Sequence, residues 1–233
     1  MCYYPHYVIS QYQNGGNTVP YLKYIFLALL AAVSFIHLFV NHNRYITKPM
    51  LLPLVIAYYV TACSGAPSVI LILAFVMSFF GDVFLMKSGN SFYVAGGISF
   101  MIAHFLFIAV YVLRIGAFSQ KLLFAIPVAL VYYAIAAAVI IKLKPTTPEN
   151  MVVPLYLYLF ANGTMNAFAF ASLLSNPCAA TVAAYIGAIF FFISDCTLFT
   201  EDFGGGKKDR PFSIIMLTYI IGEFLIAHGS VIG

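Results

Sequence analysis

Charge is the scarcest property of this sequence: 11 Lys/Arg and 7 Asp/Glu make up 8% of 233 residues. A soluble domain of this length is about a quarter charged, so that class is excluded. No basic stripe interleaves with exposed aromatics, and nucleic acid is therefore not an expected partner. The four cysteines, Cys2, Cys63, Cys178 and Cys196, include no CxxC pair. Neither H-x-x-x-H nor H-E-x-x-H occurs, so no zinc site of the usual spacing is expected. G-x-S-x-G is absent as well, which removes the nucleophile elbow of a serine hydrolase. The stretch Gly204-Gly205-Gly206-Lys207-Lys208 lacks the Walker spacing and reads as a flexible connection. The first twenty residues have no basic segment leading to a small-residue cleavage site, and read as a retained polar leader.

What the chain does have is apolar surface: 63% of its residues, roughly 147 side chains, with a mean hydropathy of +0.98. At ~20 apolar residues per membrane helix, this allows seven or eight spans and no extramembrane domain. Continuous runs such as IIMLTYIIGEFLIA do not alternate as barrel strands would. Breaks at charges and at Pro, Gly and Asn clusters place the spans near 22–40, 49–63, 67–86, 91–113, 120–141, 151–174, 178–200 and 211–231. The expected fold is all-α, polytopic, one domain after a leader over 1–21. On this division Lys48-Pro49 opens the second span, with proline in the first-turn position it tolerates. Arg44, Lys48, Lys87, Lys142, Lys144, Lys207, Lys208 and Arg210 fall on one side, and Lys23, Arg114 and Lys121 on the other. That bias predicts a cytoplasmic location for the richer side and both termini on the opposite side.

Three short resemblances recur four spans apart. KPMLLPL of span two matches ENMVVPL of span six, SFFGDVFLM of span three matches FFISDCTLF of span seven, and SFMIAHF of span four matches EFLIAHG of span eight. Together they suggest two four-helix halves, 22–113 and 120–231, related by an axis along the membrane normal. Asp82 and Asp195 then become counterparts, as do His104 and His228. Cys63 and Cys178 lie near corresponding outer connections, which leaves a bridge between them open.

A charge in lipid costs at least roughly 2.5–3.5 kcal/mol, so intramembrane acids are the first candidates for function. Asp82 lies about 7 Å inward of Lys87, and Asp195 about 9 Å inward of Glu201, at 1.5 Å per residue. Two carboxyls at one depth suggest an acid–base dyad, although two interfacial acids reaching for water would look the same. Lys48 on that side reads as a phosphate ligand or as a plain positive-inside anchor. His104 sits mid-span, with Gly97 and Phe100 on its face, and reads as a ligand or an interhelical donor. Glu223 lies deeper still, with Tyr219 one turn earlier as a possible partner. Ser78 shares a face with Asp82, and Ser194 precedes Asp195; both also suit helix packing.

These residues resemble the YhhN-type lysoplasmalogenase family of integral membrane proteins. The carrying motifs are Lys48-Pro49, Ser78-x-x-Gly81-Asp82-x-x-Leu85 and Gly97-x-x-Phe100-x-x-x-His104. Pro154-x-x-x-Tyr158, Gly187-Ala188-x-x-Phe191-x-x-Ser194-Asp195-x-x-Leu198, and Tyr219 with Leu225-Ile226 complete them. Glu223 stands where the resemblance leads one to expect an uncharged Gln. The resemblance implies hydrolysis of the vinyl-ether bond of lysoplasmalogens, with a lysophospholipid substrate met in the bilayer. Asp82 and Asp195 would be catalytic, and Lys48, Ser78, His104, Tyr158, Ser194, Tyr219 and Glu223 would bind substrate. It implies a multi-pass protein of the bacterial plasma membrane or the endoplasmic reticulum. The chemistry needs one protonated acid and one carboxylate, as in glycosidases, and no metal or cofactor. A proton-coupled transporter or a lipid-binding protein could use the same acids.

Overall fold

The computed structural model describes residues 21–40, 44–116, 120–205 and 213–232. The leader with Cys2 lies outside the described residues, as do Lys207, Lys208 and Arg210. Every regular element among the described residues is helical: α1 (Leu22–Phe39), α2 (Arg44–Ala62), α3 (Val69–Leu85), α4 (Asn90–Ile115), α5 (Ala125–Leu143), α6 (Glu149–Ser175), α7 (Ala179–Phe203) and α8 (Ile214–Val231). Helices satisfy their own backbone groups, which an apolar solvent demands. Seven of the spans are long and apolar enough to cross a bilayer, and the eighth, α3, is shorter at 17 residues.

Two boundaries differ from expectation. Helix α2 begins at Arg44, so Lys48-Pro49 lies inside the helix and not at its first position, and Pro53 follows within it. Pro49 lacks the N–H that would meet the carbonyl of Tyr45, but Tyr45 is 77% exposed at the helix end. The loss therefore falls in the first turn of the helix, on a residue not packed against the bundle. Helix α5 starts at Ala125, after a 3₁₀ turn over Gln120–Phe124. Starting there keeps Pro127 in the first turn, where its missing N–H has no helical partner in any case.

Successive helices pack within 22–115 and within 125–231, and the pairs α4–α6 and α2–α8 join the two groups. Gly81 and Gly96 bring α3 against α4; a Cβ at Gly81 would stand 2.5 Å from the Phe100 ring. Gly97, singled out from the sequence, faces open space instead. The closest crossing is α7–α8. A Cβ at Gly187 would meet the Gly222 carbonyl oxygen at 2.7 Å, and one at Gly222 would meet the Gly187 carbonyl oxygen at 2.9 Å. Close backbone approach of this kind lets membrane helices pack tightly without a hydrophobic driving force.

Gly222→Val should consequently separate α7 from α8. An overpacked contact costs about 1–3 kcal/mol, expected to lower the thermal midpoint of detergent-solubilised protein by about 4 °C or more. An unchanged midpoint would show that this crossing does not hold the bundle together.

Candidate active site

Both aspartates are buried, Asp82 to 3% and Asp195 to 4% exposure, and each has a different set of partners. Asp82, near the end of α3, has Oδ1 3.1 Å from Lys48 Nζ of α2. Its Oδ2 accepts a hydrogen bond from the Tyr219 hydroxyl of α8 at 2.8 Å. Asp195 of α7 has no ammonium partner among the described residues. Its Oδ2 accepts from the Tyr158 hydroxyl at 2.9 Å and from Asn162 Nδ2 at 2.7 Å, both on α6. Asn166, one turn on, donates to Asn162 Oδ1 at 3.0 Å, which turns the Asn162 amide N–H₂ toward the carboxyl.

His104 completes this side. Its Nδ1 lies 2.6 Å from the Phe100 carbonyl oxygen. A carbonyl only accepts, so Nδ1 carries hydrogen. Nε2 is then left 3.5 Å from Asp195 Oδ2. An imidazole lone pair and a carboxylate oxygen would repel at this separation; a proton on either atom removes the conflict. Asp195 thus faces two neutral donors and an imidazole nitrogen, whereas Asp82 faces an ammonium.

Glu223 of α8 is fully buried and lies within electrostatic range of Asp82 and Asp195. The hydroxyls of Ser78 and Tyr219 stand next to its carboxyl. Neither meets hydrogen-bond geometry with a Glu223 oxygen, and the Ser78 hydroxyl has no hydrogen-bond partner either. Aromatic rings pack around the partners of both acids. Phe191 packs edge-on to His104 at 5.0 Å and to Tyr219 at 5.5 Å, and Phe100 packs on both Phe191 and Tyr219. Such walls exclude water and strengthen every charge interaction they enclose.

Of the residues singled out from the sequence, Asp82, Asp195, Lys48, Ser78, His104, Tyr158, Tyr219 and Glu223 come together. Ser194 does not join them: its hydroxyl donates to the Ile215 carbonyl at 3.0 Å and pins α7 to α8. Tyr219 gives its hydrogen bond to Asp82 and not to Glu223. His228 has other partners than His104: its Nδ1 pairs with the Tyr58 hydroxyl at 2.7 Å and its ring stacks on Phe224. The Cys63 thiol is free, so no bridge joins it to Cys178. Asn162 was not anticipated, although an amide pair (Asn162 and Asn166) in the middle of an apolar span was a readable signal. Among the described residues, no three His, Cys, Asp or Glu side chains are grouped so as to hold a metal ion.

Fold and site together define a multi-pass helical membrane protein with a buried carboxyl cluster, one member of which is ion-paired. The chain belongs to the YhhN family, whose match spans residues 43–230 and takes in all of these side chains. Comparison with curated proteins and with solved structures gives no match.

Proposed function

We propose that this protein hydrolyses the vinyl ether of lysoplasmalogens, releasing a fatty aldehyde and glycerophosphoethanolamine or glycerophosphocholine. One observation above all supports this reading: two buried aspartates with opposite complements, Asp82 against an ammonium and Asp195 against neutral donors and an imidazole. Vinyl-ether hydrolysis asks for that division. Asp195 gives its proton to the β-carbon, the double-bond electrons form the new C–H bond, and an oxocarbenium ion results. Asp82 takes a proton from water as the water oxygen bonds to the α-carbon, which gives a neutral hemiacetal. Asp82 then returns that proton to the ether oxygen as the C–O bond breaks. Asp195 removes the hemiacetal hydroxyl proton, the aldehyde forms, and both groups regain their starting states. One water is consumed and no proton is left over.

His104, on this mechanism, holds the Asp195 proton in place before reaction, and Tyr158 and Asn162 stabilise the carboxylate after it. The Lys48 ammonium neutralises Asp82 and lies at the more accessible edge of the cluster, 18% exposed against 4% for the Asp82 side chain. The lysine-rich end that includes it faces the cytoplasm, and the two four-helix groups descend from a duplication.

Purified protein incubated with lysoplasmenylethanolamine should release aldehyde stoichiometrically with the glycerophospho product. The rate should be the same with and without EDTA, because no step passes through a metal. Absence of aldehyde would reject the hydrolase reading in favour of a carrier that uses the same acids. Loss of activity with EDTA and its return with zinc would reject the mechanism.

A further inference from the structure

Glu223 and Ser78 are both completely buried, yet Ser78 Oγ and both Glu223 carboxyl oxygens lack a hydrogen-bond partner among the described residues. Each such group costs about 1–3 kcal/mol if left unmet, and nearly all buried polar atoms in native proteins are met. Ser78 stands one turn before Asp82 on α3, and Glu223 one turn after Tyr219 on α8. The two groups thus flank the Asp82–Tyr219 hydrogen bond.

The chemistry of this pair selects its ligand. Among the described residues, a phosphate finds no cation beside Glu223 and Ser78 and has Lys48 available at the accessible edge. A headgroup amine lies beyond that phosphate, further from Glu223. An alkenyl chain offers no hydrogen bond. A neutral hydroxyl fits, because it donates to one group and accepts from the other. We infer that Glu223 and Ser78 form the subsite for the free sn-2 hydroxyl of the lysolipid and so discriminate it from lipids acylated there. This rests on the hydrolase reading above. In such a lipid the sn-2 carbon adjoins the carbon bearing the vinyl ether, so a group bound to its hydroxyl necessarily lies beside the reacting atoms. An ester at sn-2 has no proton to donate and brings a second chain into a packed aromatic wall.

The test compares lysoplasmenylethanolamine with its 2-deoxy analogue, which keeps the vinyl ether and the headgroup but carries hydrogen at sn-2. Wild-type protein should favour the hydroxyl substrate by about a hundredfold or more in kcat/KM, as sites that bond a hydroxyl reject analogues lacking it. Glu223→Gln retains donor and acceptor and should keep most of that ratio. Glu223→Leu and Ser78→Ala should each bring the ratio toward one. Equal rates for the two substrates with wild-type protein would overturn the assignment while leaving the hydrolase reading intact. So would Glu223→Leu and Ser78→Ala variants that slow both substrates by the same factor, the result expected of a merely structural pair or of groups that hold the attacking water. No aldehyde from either substrate would overturn the hydrolase reading and this assignment with it.

Discussion

Replacing Asp195 with Asn is expected to reduce aldehyde release by at least about a hundredfold, the lower range for a lost general acid or base. Asn has nearly the shape of Asp, and its amide oxygen can still accept from Tyr158 and Asn162, so the helices should stay in place. What disappears is the transferable proton beside His104. Asp82→Asn should cause a loss of the same order for the opposite reason, because an amide cannot take a proton from water. Since both acids act in each half of the cycle, the double variant should be little slower than the worse single variant. Turnover measured on equal amounts of purified, monodisperse protein decides the matter. Near-normal release by either single variant would remove that residue from the chemistry.

Lys48→Met tests a different arrangement. Removing one partner of a buried ion pair costs about 3–5 kcal/mol, and less where solvent reaches one side, as it does at Lys48. The larger effect falls on the reaction, since only the Tyr219 hydrogen bond then favours the ionised form of Asp82. We expect kcat to fall about tenfold or more, and KM to rise as well if the ammonium also touches the substrate phosphate. Lys48→Arg keeps a charge within reach and should recover much of the rate, though its planar fork differs from a point charge. A raised KM with unchanged kcat would mean that Lys48 only binds substrate. Normal kinetics with a lower yield of inserted protein would reduce it to a topological anchor.

The spans were readable because lipid imposes one demand on every segment, about 20 apolar residues between polar breaks. The boundaries that shifted did so for local reasons that an apolar-run count cannot see, such as the place of Pro127 in its helix. Side-chain direction was harder to read. Ser194 adjoins Asp195 in sequence, but one residue is about 100° of helical turn, so the serine looks to the α8 backbone while the aspartate looks inward. His228 was paired with His104 by a shared Phe-x-Ile-Ala-His segment. On α8, however, Tyr219 is the residue that reaches an aspartate, nine positions earlier. Similar strings on two helices say little about how far each helix is slid along its neighbours. Lys48 lay in view throughout, but its ion pair with Asp82 depends on α2 continuing through two prolines, which their usual helix-breaking role argues against.

The 17-residue α3 spans about 25 Å at 1.5 Å per residue, less than the roughly 30 Å of a typical hydrocarbon core. Hydrophobic mismatch of this kind is relieved by thinning the bilayer around the short segment. The leaflet should dimple beside α3, and Asp82 lies only three residues from its end. A lysolipid in that dimple needs little vertical displacement to bring its glycerol carbons level with the acids. A bilayer thinned beside this helix would shorten the distance over which such a lipid has to be raised.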